Sequence, residues 1–202
     1  NNNLSEDEII KVLASGMITS EFGIVNLPHI TAPAGIEDLH SSMYETSFSD
    51  ITEIPFCFIR GVKTNCKSLE YADMMRGEET EISALFCGEG IYVLSGSHSK
   101  IVKADVNGSI VDFKTMLTGE MISALRESTI LKSTVELEGQ DINEKSLVEG
   151  FEYARAHGIN DALFKVRVLK NIFGKSSNEV YNFFLGAVLC GEIVYVLNEA
   201  PK

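Results

Sequence analysis

Three short apolar runs constrain this chain more than any other feature. They occupy residues 91–94 (Ile-Tyr-Val-Leu), 101–106 and 109–113, separated by a polar loop at 95–100 and by Asn107-Gly108. An Asn-Gly pair between apolar runs is a hairpin turn, because both residues tolerate the positive φ that a tight turn demands. The spacing therefore predicts an antiparallel meander whose first connection is Ser95-Gly96-Ser97-His98-Ser99-Lys100. Just before it, residues 78–87 follow a helical pattern with Gly88 as the stop. Residues 75–80 thus concentrate a cation and two carboxylates around a glycine, residues 95–100 add a hydroxyl-rich loop, and the rest of the chain reads as their scaffold.

Composition bounds what that scaffold can be. With 202 residues, 45% hydrophobic and 23% charged, the chain can bury one large core or two small ones, and disorder is not expected. Seventeen Lys and Arg against 29 Asp and Glu give a formal charge of −12. That balance argues against nonspecific nucleic-acid binding and against an anionic membrane surface, while leaving a local nest of backbone N–H groups free to bind phosphate. Cys57, Cys66, Cys87 and Cys190 include no CxxC pair and read as reduced thiols of a cytosolic protein, not a disulfide framework or zinc site. No signal peptide is expected from the polar, acidic residues 1–8. The apolar run 180–197 is interrupted by Asn182 and Glu192, which favours a buried helix over a membrane span.

Taken in order, residues 5–8 have capping-box spacing, and 9–14 form a short apolar run expected to be a buried strand. Residues 15–20 (Ser-Gly-Met-Ile-Thr-Ser) follow as either a binding loop at a strand end or a plain turn. His29 has no His or Cys nearby and reads as a structural histidine. A helix is expected over 36–44 and a strand over 52–60, pushed to a sheet edge by Pro55. Residues 61–75 are expected to connect two halves. Helices are expected over 118–131, 146–157 and 161–169, with Ser146 and Ser176 opening capping boxes. In the last helix, Gly186 and Gly191 suggest close approach of another backbone or of a ligand.

The chemistry suggested by residues 75–100 is phosphoryl transfer. That reaction needs N–H donors and a cation around phosphate oxygens, and a group to orient or deprotonate the attacking hydroxyl. Gly96, Ser97 and Ser99 can supply donors, and Lys100 and His98 can offset charge. The same loop is equally readable as a polar hairpin turn. Glu78 and Glu79 could provide the base, or could simply complement the dipole of the helix they start. Arg76 could pair with either, or grip an anionic substrate.

Residues 75–80 (Met-Arg-Gly-Glu-Glu-Thr), 92–100 (Tyr-Val-Leu-Ser-Gly-Ser-His-Ser-Lys) and 113–120 (Phe-Lys-Thr-Met-Leu-Thr-Gly-Glu) resemble consecutive signatures of the 2-keto-3-deoxygalactonokinase family. Residues 15–20 with Phe22, Gly23 and Pro28 resemble its earlier glycine-rich segment, and 163–167 and 184–192 its later ones. The resemblance implies an α/β fold of the ribonuclease H-like, actin-like ATPase type, with two domains facing across a cleft. Residues 1–76 would be the remainder of the first, sugar-acid-binding domain, and 77–202 the second domain with the phosphate loop. It implies a cytoplasmic carbohydrate kinase that moves the γ-phosphate of ATP, with Mg2+, to the 6-hydroxyl of 2-dehydro-3-deoxy-galactonate or a similar keto-deoxy sugar acid.

By the same resemblance Glu78 stands where related kinases keep an aspartate base, with Glu79 as the second candidate and Arg76 beside them. Ser95, Gly96, Ser97, His98, Ser99 and Lys100 would hold phosphate, and Ser15, Gly16, Met17, Ser20 and Gly23 would face the sugar acid. No metal ligand is implied. The expected partners are ATP and the sugar acid, with a homodimer left open. The alternative is a non-catalytic sugar-acid-binding or regulatory module derived from such a kinase.

The family's loop usually reads Pro-Gly-Thr-His-Ser-Lys-Trp, where this chain has Ser95, Ser97 and Ile101. Its early tryptophan is Ile24 here, and the chain has no Trp. An Asp-x-Gly phosphate strand and a glycine-rich adenosine segment are not seen. The expectation is therefore the middle of a kinase, incomplete at both ends.

Overall fold

A computed structural model describes residues 8–136 and 141–199. The fold is mixed α/β, with three small sheets and six α-helices among the described residues. It divides into two compact units. The first holds the described residues up to Leu94 together with Lys100–Thr115; the second holds Ser95–Ser99 and the described residues from Met116 onward.

The first unit begins with β1 (Val12–Ala14), a 3-10 turn (Gly16–Thr19) and β2 (Ile30–Thr31). Next come α1 (Ile36–Ser41), β3 (Tyr44–Phe48), β4 (Thr52–Phe58), β5 (Val62–Lys63) and β6 (Met74–Met75). The helix α2 (Glu78–Leu85) then leads into β7 (Gly90–Leu94), β8 (Ser99–Ala104) and β9 (Ile110–Met116). The sheets have the orders β1-β4-β3, β2-β5-β6 and β7-β8-β9. The last is the predicted meander, with β7 and β8 antiparallel from Gly90↔Ala104 to Leu94↔Lys100 and Gly108 turning at φ +80°. A buried cluster including Leu39, Val62, Met75, Ile82, Val102 and Phe113 joins elements from all along this unit.

Four expectations are corrected here. The strand at 9–14 is only Val12–Ala14, and it is not buried: Leu13 is 60% exposed and Ile10 88%. The strand β4 is central, not an edge. Its pairing with β3 jumps from Thr46↔Phe56 to Phe48↔Thr52, so Pro55 falls in a bulge, and β1 pairs only from Phe56 onward. A bulge needs no ladder N–H from the proline. Residues 61–75 supply β5 and β6 to a sheet inside the first unit, instead of linking halves. The capping-box expectation at residues 5–8 lies outside the described residues but for Glu8.

The second unit is helical: α3 (Thr118–Ser128), a 3-10 turn (Ile130–Ser133), α4 (Glu144–His157), α5 (Ile159–Asn171) and α6 (Ser177–Glu199). The fourth correction is at the start of α4, two residues before Ser146. Its cap is Asn143, whose side chain accepts from the Ser146 N–H at 3.1 Å. At α6 the expected capping box is present: the Ser176 N–H donates to Glu179 Oε2 at 3.0 Å and the Glu179 N–H to Ser176 Oγ at 3.3 Å. Val180, Phe183, Phe184 and Val188 of α6 form the core with Val166 of α5 and Leu131.

The α4–α6 contact is backbone against backbone. A Cβ on Gly186 would lie 1.9 Å from the Leu147 carbonyl oxygen, and one on Gly150 would lie 2.0 Å from that of Phe183. Gly191 is different, with nothing nearer than the Met116 sulfur at 3.7 Å. By length and apolar composition α6 could cross a membrane. Eight of its residues are nonetheless buried, Asn182 and Glu192 among them. Asn182 Nδ2 donates to the Asp141 and Asn178 carbonyls, and Glu192 accepts from the Thr118 hydroxyl. Polar groups satisfied in this way belong to a protein core.

Candidate active site

In the first unit, the segment from Arg76 to Glu79 lies against the turn after β1. Gly77 caps α2 at φ +112°, and Gly16 opens the turn at φ +86°. A Cβ on Gly77 would sit 3.3 Å from the Gly16 Cα, so both the conformations and the contact call for glycine.

Arg76 is half-buried and held by three uncharged acceptors. Nη1 donates to Thr19 Oγ1 at 2.7 Å, Nη2 donates to the Leu27 carbonyl at 2.9 Å, and Nη2 lies 3.4 Å from His29 Nδ1. Thr19 is fully buried, and its hydroxyl donates to the Gly16 carbonyl at 3.0 Å. Among the described residues no carboxylate forms an ion pair with the guanidinium. Its charge is therefore not neutralised at contact distance, although burial works against it and Glu79 supports it from further away. Burial first, then the charges of Arg76 and Lys63, holds the His29 imidazole below its ordinary value.

The two glutamates after Gly77 differ sharply. Glu78 is partly exposed, with Oε1 3.0 Å from the Lys100 ammonium and Oε2 accepting from the Arg76 backbone N–H at 3.0 Å. Lys100, on β8, is buried with 3% exposure. Glu79 is fully buried, and both its oxygens accept from the Gly77 N–H, at 2.9 and 2.8 Å. Burial pushes its carboxyl up to about 7.

The sequence-predicted positions are thus brought together unequally. Arg76, Glu78, Glu79, Gly16 and Lys100 converge in the first unit. Ser20 closes its own turn, donating to the Met17 carbonyl at 2.7 Å, and Gly23 packs where any Cβ would meet the Ile18 carbonyl at 2.1 Å. Ser15 is half-buried and Met17 59% exposed. Thr19, from the 15–20 stretch, and His29, read in the sequence as a structural histidine, join the site through Arg76, as does the Leu27 carbonyl.

In the second unit, Ser95, Gly96, Ser97 and His98 are exposed, Ser99 is buried, and the loop rests on the start of α3. A Cβ on Gly119 would fall 2.2 Å from the Gly96 carbonyl oxygen. The Glu120 N–H donates to the Ser97 carbonyl at 3.0 Å, and His98 Nε2 lies 3.3 Å from Glu120 Oε1. Leu117, at the cap position of α3, offers no side-chain acceptor to the first-turn N–H groups. With the Glu120 N–H taken by Ser97, the remaining first-turn N–H groups beside a glycine-serine loop are chemically suited to an anion. No three carboxylate, imidazole or thiol groups converge on a metal position among the described residues.

The sequence profile of the 2-keto-3-deoxy-galactonokinase family matches residues 1–201. In structure the chain is similar to a crystal structure from Sinorhizobium meliloti of a protein provisionally described as 2-dehydro-3-deoxygalactonokinase. The TM-score is 0.80 at 20% identity, over 95% of this chain. The chain spans 64% of that protein's length, and at this identity the likeness shows the fold alone. No curated protein matches.

Proposed function

The chain belongs to the 2-keto-3-deoxy-galactonokinase family, and from that premise we propose that it serves an ATP-dependent sugar-acid kinase of the ribonuclease H-like, actin-like type. The acceptor is the 6-hydroxyl of 2-dehydro-3-deoxy-galactonate or a similar keto-deoxy acid. One observation carries the reading: the Glu78 carboxylate is held from both sides, two residues beyond an arginine whose contact acceptors are all uncharged.

Arg76 binds the substrate carboxylate, because a guanidinium whose charge is unmatched at contact distance gains most from an anionic partner. Glu78 accepts the proton of the attacking hydroxyl. Its two existing bonds orient the carboxylate, and its partial exposure leaves lone pairs within reach of a substrate. Lys100 fixes that orientation and limits the charge that accumulates during transfer. Ser95, Gly96, Ser97 and the first turn of α3 hold phosphate oxygens through N–H and O–H groups. Mg2+, when bound, neutralises phosphate charge. The described residues build no cage for it, and this cation typically enters on nucleotide phosphates with most of its waters retained.

The test is Glu78→Gln in the full-length protein. It should lower kcat by about 10²-fold or more while leaving the sugar-acid KM within about threefold. Unchanged kcat in a folded variant would move the base elsewhere.

A further inference from the structure

His29 stands apart in the sequence, with no partner His or Cys near it, yet it meets Arg76 in space. Its Nδ1 is 3.4 Å from Arg76 Nη2, and only an unprotonated Nδ1 can accept that N–H. The ring is also fixed from behind. A Cβ on Gly61 would lie 2.7 Å from His29 Cδ2 and 3.1 Å from Nε2, so the β4–β5 connection leaves the imidazole no room to retreat. Thr19 and the Leu27 carbonyl define two more directions of the guanidinium, and the imidazole completes them.

We propose that His29 is a positioning residue, whose neutral ring aims Arg76 at the carboxylate of the acceptor sugar acid. This rests on the reading of Arg76 as the carboxylate-binding group. The imidazole touches no substrate; it acts through Arg76. Protonation turns Nδ1 from acceptor to donor and sets two cations against each other, which frees the guanidinium from its third restraint. The charges that face the ring are Arg76 and, from β5, Lys63, and both favour the neutral form together with burial. Glu79 also acts on Arg76 and titrates on its own account, so His29 variants must be compared with wild type across pH.

Three variants of the full-length protein and one measurement on the wild type test the proposal, with ATP and 2-dehydro-3-deoxy-galactonate as substrates. His29→Leu should raise the sugar-acid KM about tenfold, with kcat within about threefold and the ATP KM unchanged. His29→Asn, whose carbonyl can replace the Nδ1 acceptor, should recover to within about threefold of wild type. As pH falls below about 6.5, the wild-type KM should climb more steeply than that of His29→Asn. If Arg76→Ala raises KM strongly while His29→Leu and wild type agree, His29 positions nothing, and the reading of Arg76 survives. If Arg76→Ala leaves KM unchanged, that reading fails and the proposal falls with it. Should His29→Leu not fold, imidazole nitrogen NMR of the wild type decides: Nδ1 must be unprotonated at neutral pH, and a proton there overturns the proposal.

Discussion

At Glu79 burial and hydrogen bonding oppose each other. The carboxylate is fully buried, and its two oxygens share the Gly77 N–H, with the Thr80 hydroxyl 3.5 Å from one of them. Desolvation wins and raises the carboxyl from 4.5 to about 7. Between those values the folded protein keeps a proton that the unfolded chain releases. This contribution to stability is therefore complete below about pH 4.5 and is lost as pH rises through about 7. Glu79→Gln should stabilise the protein near about pH 8 by up to about 3 kcal/mol, at roughly 1.36 kcal/mol per unit, and change little near about pH 4.5. Urea unfolding at the two pH values checks this, and an equal effect at both would contradict it. The adjacent glutamates could not be told apart in sequence, because each also suits the first turn of a helix. What separates them is Lys100, which reaches Glu78 only when β8 folds beside α2. For the same reason nothing local tied Thr19 or His29 to Arg76: their partner lies far along the chain, with no spacing to mark it.

At the scale of elements, α6 shows what local pattern can and cannot convey. Its Ser176–Glu179 cap and its apolar face were legible, since both depend on residues three or four apart. Its glycines marked close approach in general, and the structure separates them: Gly186 touches α4, whereas Gly191 does not. Gly186→Ala should therefore cost about 2 kcal/mol or more through overpacking, outweighing the roughly 1 kcal/mol that alanine gains in helix propensity. Gly191→Ala should be neutral or slightly stabilising. Thermal unfolding of the two variants gives the comparison, and similar midpoints would refute the backbone contact. Pro55 misled because a proline rule about edges also permits bulges, and register is a property of two strands together. At α4, Ser146 and Glu149 had the right spacing, but Asn143 captured the Ser146 N–H and began the helix earlier.

For the whole molecule, the meander, the order of signatures and the family were all legible, because they rest on patterns spread over nearly the full length. In the proposed function the acidic balance leaves anion binding to local groups: the loop on α3 in one unit, and Arg76 in the other. In that reading these groups serve phosphoryl transfer to a sugar acid. The most direct measurement is coupled ADP release by the full-length protein with magnesium-ATP, with and without 2-dehydro-3-deoxy-galactonate, followed by phosphorus NMR of the product. The expected result is ADP release that depends on the sugar acid, together with a phosphate monoester on its 6-hydroxyl. Binding of the sugar acid without ADP release would contradict it and make the chain part of a sensor instead of a kinase.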